Sequence, residues 1–158
     1  MSGKLAALSL ALSLGALALA GYALTRSSAP RAPLGEVMRA LSSHFSSLYY
    51  CGIHGNHGRA RYETEAISAA IDEVEAAHVS KNGVPVSDIV RTMVGSHFQP
   101  LLSAIEQHDH DRFVSAYQTA VSVCNACHAN AGVGFIRIVV PTAEPYPNQA
   151  WRLDGKTD

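Results

Sequence analysis

Apolar residues between Leu34 and Tyr50 recur at Leu34, Val37, Met38, Leu41, Phe45, Leu48 and Tyr49, the three-and-four spacing of one buried helix face. This predicts a first helix that ends within Cys51 to Gly58, where Gly52, Gly55 and Gly58 supply turn backbone. A second helix is predicted from about Arg59 to His78. Tyr62, Ala66, Ile67, Ala70, Ile71, Val74 and Ala77 should face its core, and Glu63, Glu65, Asp72, Glu73 and Glu75 should face water. After a turn at Lys81-Asn82-Gly83-Val84-Pro85, Ser87 or Asp88 is expected to cap a third helix through Ile89, Met93, Phe98, Leu101, Leu102 and Ile105. Pro100 removes a backbone bond inside it, so a kink or a fresh start is expected near Ser96 to Phe98. Asp109 or Asp111 caps a fourth helix, in which Phe113, Ala116, Tyr117, Ala120, Val121 and Cys124 share a face. Short connections favour antiparallel neighbours, so the expected fold is all-α, an antiparallel four-helix bundle. Only Phe135 to Val140 looks extended, and the tail with Pro141, Pro145 and Pro147 is expected to cross the bundle surface as coil.

Ahead of these helices, Lys4 precedes an apolar run from Leu5 to Leu24 with a small-residue pattern at Ala18-Leu19-Ala20. That arrangement predicts an export signal over residues 1–20, followed by a polar, Pro-containing linker over 21–33. The alternative is an uncleaved inner-membrane anchor over 5–24, since about 20 apolar residues cross a bilayer. The helical domain then occupies 34–134 and the tail 135–158.

The last predicted helix ends in Cys124-Asn125-Ala126-Cys127-His128, a C-x-x-C-H pattern. This spacing suits one covalently attached haem c: the two thiols add to the haem vinyl groups, and the adjoining imidazole reaches the iron. Two other chemistries use paired cysteines. A thioredoxin-like redox pair needs a βαβ context, and half of a zinc site needs a second ligand pair at similar spacing; the sequence offers neither. Export agrees with the haem reading, because c-type haem is attached outside the bacterial inner membrane. The expected location is therefore the periplasm, with membrane attachment only if the N-terminal segment is retained.

Of three cysteines, haem attachment would use two and leave Cys51 as an odd thiol in an oxidising compartment. Packing in the core is the ordinary role for a cysteine at a helix end. With 12 Lys+Arg against 13 Asp+Glu, no basic surface suggests a nucleic acid. No Ser/His/Asp arrangement, phosphate-binding loop or close carboxylate pair stands out, so an independent catalytic activity is not expected.

Four helices with C-x-x-C-H at the end of the last resemble the cytochrome c-prime class, over roughly Leu34 to Ala131. In more detail, His44-Phe45 with Leu48-Tyr49-Tyr50, then Asn56, Tyr62 and Glu63, and later the C-x-x-C-H with Gly134-Phe135-Ile136, resemble a branch of exported monohaem bundle cytochromes. The resemblance implies Cys124 and Cys127 as haem attachment points and His128 as proximal iron ligand. It also implies a distal residue from the first helix, redox partner proteins in the periplasm or inner membrane, and a homodimer formed through helix faces. Two features depart from the class: the first helix is short, and the tail from Phe135 to Gln149 runs past the usual end.

The sixth iron position separates the functions. His44 projects from an apolar stripe and needs a partner, which iron would provide; Met38 offers a thioether; Leu41 and Phe45 would leave an open, apolar site. A strong sixth ligand suits electron transfer, whereas an open site suits nitric oxide or carbon monoxide binding. A third reading is a haem-free structural or zinc-binding bundle in which the motif recruits His44 or Cys51. His54 and His57 near Cys51 form a weaker metal candidate, while His78, His97, His108 and His110 have surface explanations. Haem propionates would need cations, for which Arg39, Arg59, Arg61 and Arg137 are candidates.

Overall fold

The structure, a computed structural model, describes residues 32–152. The expected signal or anchor and most of the linker lie outside the described residues, as do positions 153–158. Helix α1 spans Leu34–Ile53 and α2 spans His57–Ala77. Helix α3 covers residues 86–106 as Val86–Ile89, a π-helical turn Val90–Val94, and Gly95–Glu106. Helix α4 spans His110–Asn130. The described residues contain no strand, only an isolated antiparallel bridge between Lys81 and Val84. No described helix is long and apolar enough to cross a membrane.

α1 packs chiefly on α2 and α3 on α4, while α2 against α3 and α1 against α4 close the ring, a packing compatible with a helical bundle. The apolar stripes meet inside it. Leu48, Ile67, Leu101, Phe113 and Tyr117 are fully buried. Phe45 stacks on Tyr117 with centroids 4.2 Å apart, and the Tyr117 hydroxyl donates to the Phe45 carbonyl at 3.0 Å, so the buried phenol keeps a partner.

Local chemistry moves several boundaries from their expected places. α1 continues through Gly52 because that glycine serves a close approach rather than a stop: a Cβ there would overlap the Phe113 ring. The turn falls instead at Gly55, with φ of +69°. Asn56 caps α2, accepting the Arg59 N–H at 3.2 Å. Ser87 lies within the first turn of α3 and is not its cap; its hydroxyl donates to the Val74 carbonyl at 2.6 Å and accepts the Val79 N–H at 2.8 Å. Asp109 caps α4 as expected, accepting the Arg112 N–H at 3.0 Å.

The helix runs through Pro100, and the irregularity sits about two to three turns earlier, in the π turn. Side chains there take up carbonyls that the altered winding leaves, with His97 Nδ1 donating to the Met93 carbonyl at 2.5 Å and Thr92 Oγ1 to the Asp88 carbonyl at 2.8 Å.

Two positions on α2 reverse their expected orientation. Tyr62 is 62% exposed, whereas Glu63, assigned to the water face, is 3% exposed. The carboxylate is buried because it has partners: His44 Nδ1 donates to it at 2.7 Å and Arg59 Nε at 3.2 Å. The tail also does more than cross the surface. Trp151 is 3% exposed, lies under the Arg59 guanidinium at 4.0 Å, and its carbonyl accepts from Asn56 Nδ2 at 3.3 Å. Tyr146 bonds Ser43, and Gln149 bonds Arg59.

Candidate functional site

The last turns of α4 carry the motif because Cys124, Cys127 and His128 stand three and four residues apart and so share a helix face. A Schellman ending fixes that helix terminus. Gly132 takes φ of +71° and donates its N–H to the Ala129 carbonyl at 3.2 Å, while the Val133 N–H reaches the His128 carbonyl at 2.9 Å. Asn82 Nδ2 adds a bond to the Ala131 carbonyl at 2.9 Å, tying the α2–α3 turn to the same terminus.

All three motif side chains face a cavity of about 390 Å³. Its other walls are apolar: Leu34, Val37, Met38 and Leu41 from α1, Ala70, Ile71 and Val74 from α2, and Val86, Val90 and Val94 from α3. Lys81 is the cation on this wall. A second space of about 290 Å³ shares Met38, Leu41, Cys124, His128 and Ile136 and extends to Arg39, Phe45 and Phe98.

His128 is half-buried, and its Nδ1 lies 2.7 Å from the Ile136 carbonyl. A carbonyl only accepts, so Nδ1 carries the proton and Nε2 is left as the lone-pair nitrogen of the neutral ring. Metal-ligating histidines commonly present this arrangement. Both thiols are free. Burial pushes Cys124 up to about 11, with the neighbouring Cys127 adding to the rise, and burial also raises Cys127. Redox-active C-x-x-C pairs shift a thiol in the opposite direction.

Of the two candidate distal residues, Met38 is on the cavity wall and His44 is not; His44 Nδ1 bonds Glu63. Cys51 is fully buried in the core, where burial raises its thiol to about 12. Among the described residues, no group of three or more His, Cys, Asp or Glu side chains is arranged to hold a metal ion, and neither His44 nor Cys51 lines the cavity with the motif. At the far end of α1, His57 stacks on His108 with centroids 3.7 Å apart, and His54 Nε2 lies 3.7 Å from Glu144. The four arginines divide: Arg39 reaches the smaller space, Arg59 pairs with Glu63, Arg61 pairs with Glu65, and Arg137 stands exposed on the tail.

Sequence reasoning missed Lys81, read only as part of a turn, and Asn125, given no role within the motif. Asn125 carried a faint signal: asparagine is a modest helix former whose side chain favours backbone partners. Here it bonds Ile138 twice, Nδ2 donating to the carbonyl and Oδ1 accepting the N–H, each at 2.8 Å. Compared with protein-family models, with curated proteins and with solved structures, the chain matches none of them.

Proposed function

We propose that this chain is an exported, single-haem c-type cytochrome of the c-prime-like bundle class, an electron carrier rather than an enzyme. Cys124 and Cys127 hold the haem covalently and His128 ligates its iron through Nε2. The observation that carries this reading is the His128 bond to the Ile136 carbonyl beside two free thiols, all on one apolar cavity of about 390 Å³. That donor set fits a haem: thiols for the vinyl groups, an oriented imidazole for the metal, and apolar walls for the ring faces. When bound, the group supplies one-electron iron chemistry.

The chain's own contribution is to bind, orient and exclude water. Four antiparallel helices enclose the site, with Val74, Val90 and Val94 as non-reacting walls. Met38, on the cavity wall, would offer the iron a soft thioether, a donor that favours the reduced metal and raises the potential. Lys81 and Arg39 are the cations suited to propionates. The protein works in the periplasm, exchanging electrons with redox partner proteins there or in the inner membrane, and pairs with a second copy through helix faces.

A gas-binding function is the second reading, favoured by one observation: Met38 apart, the α1 residues on the cavity are Leu34, Gly35, Val37 and Leu41, which offer iron no side-chain ligand. An absorption spectrum distinguishes the two. Electron transfer predicts a low-spin ferrous form indifferent to carbon monoxide, whereas gas binding predicts a high-spin ferrous form that takes it up.

A further inference from the structure

We propose that Asn125, the first of the two residues between the cysteines, is the positioning residue for His128, acting through the tail backbone; this rests on the reading of His128 as an iron ligand. Three bonds define the device. Asn125 Nδ2 donates to the Ile138 carbonyl and Asn125 Oδ1 accepts the Ile138 N–H, both at 2.8 Å, and His128 Nδ1 donates to the Ile136 carbonyl at 2.7 Å.

Geometry makes these one unit. Asn125 and His128 are three residues apart, hence neighbours on one helix face, while Ile136, at the bend that follows the helix terminus, and Ile138 are two apart on the segment that leaves it. Residue 138 opposes 125 and residue 136 opposes 128, so the tail runs back along the last turn of α4. The paired amide bonds imitate one rung of a sheet ladder and fix both the position and the register of the segment. Without them the Ile136 carbonyl hangs between the Schellman turn and a tail whose next side-chain polar contacts are the Glu144 approach to His54 at 3.7 Å and the Tyr146 bond to Ser43. Ile136 and Val139, 49% and 67% exposed, add little burial, so apart from the partial packing of Ile138 and Val140 against the core the paired amide bonds fix the segment.

The consequence falls on iron. Donation from Nδ1 makes Nε2 a stronger base and fixes the ring orientation, which favours the oxidised metal. Asn125 therefore lowers the midpoint potential without touching the haem, a role that a spacer residue would not have.

The test compares full-length, haem-loaded protein with Asn125→Leu, which removes both bonds at similar size, and Asn125→Asp, which keeps the acceptor for the Ile138 N–H. Amide hydrogen exchange at Ile138 should speed up by about tenfold in Asn125→Leu, the equivalent of one lost hydrogen bond. The midpoint potential should shift positive, with a smaller shift in Asn125→Asp. Unchanged exchange at Ile138, or faster exchange with an unmoved potential, overturns the proposal, the second result reducing the clamp to a tether. Should the protein carry no haem, the functional reading falls separately, and nitrogen shifts of the His128 ring still decide the clamp. They should show the Nδ1–H tautomer in the parent and a mixture in Asn125→Leu, and a mixture in the parent overturns it.

Discussion

His44 and Glu63 meet across α1 and α2, with Nδ1 2.7 Å from Oε2 and the carboxylate buried to 3% exposure. Arg59 holds the other oxygen, so Glu63 joins two helices and, through Arg59 and Trp151, the tail. Removing the carboxylate leaves His44 Nδ1 without its acceptor and Arg59 with Gln149 and the Trp151 ring alone. Glu63→Ala should cost about 3 kcal/mol, the scale of a broken buried pair, read from urea unfolding midpoints. A change below about 0.5 kcal/mol, the size of an exposed pair, would mean that the network is solvated in practice.

The cavity lining separates the two distal candidates. With Met38 on the wall and His44 off it, Met38→Ala should convert a low-spin spectrum to high-spin and open the ferrous protein to carbon monoxide. His44→Ala should keep the low-spin bands and lose stability. The opposite pattern would assign the sixth position to His44, and low-spin bands in neither parent nor variants would favour the gas-binding reading.

Trp151 is the sole tryptophan, so its fluorescence reports tail docking without a label. Trp151→Ala should destabilise by about 3 kcal/mol or more, as for other buried large aromatics. Trp151→Phe should cost less than that, because the indole N–H has no partner in its buried position and its loss strands nothing. Unfolding curves of the two variants check the ordering, and equal losses would point to an unrecognised bond at the indole nitrogen.

Stability at mildly acidic pH should carry a contribution from His57. Burial lowers its pKa below the ordinary 6.5 and the stacked His108 lowers it further, with His54, Arg61, Glu65, Glu106, Asp109 and His110 around the pair. Above that value both folded and unfolded chains hold the ring neutral and no dependence arises. Below it the unfolded chain binds the proton first, so stability falls as pH falls until the folded ring also protonates. His57→Gln should flatten the unfolding midpoint over this acid window. A parent and variant with parallel pH profiles would remove His57 from the account.

Periodicity made the helices legible because each buries a single stripe; Phe45, Leu48, Ile67, Leu101 and Phe113 sit where the spacing put them. The motif was legible for a different reason, since Cys124, Cys127 and His128 are bound by local spacing alone. What the sequence hid were contacts between residues far apart in the chain. Glu63 looked like one more carboxylate on a wet face until His44 and Arg59 surrounded it. Trp151 lay in a Pro-containing tail with no periodicity to mark it as core, and its burial depends on Tyr50, Asn56 and Arg59. Gly52 looked like a helix stop because a glycine's close packing against Phe113 leaves no trace in local pattern.

The intact mass of protein purified from an exporting host with haem-attachment machinery tests the central claim most directly. The account predicts a chain heavier by one haem, with pigment that stays on the protein through acid-acetone extraction and is lost from the double variant Cys124→Ala, Cys127→Ala. A bare chain, or a colour that acid-acetone removes, would contradict it.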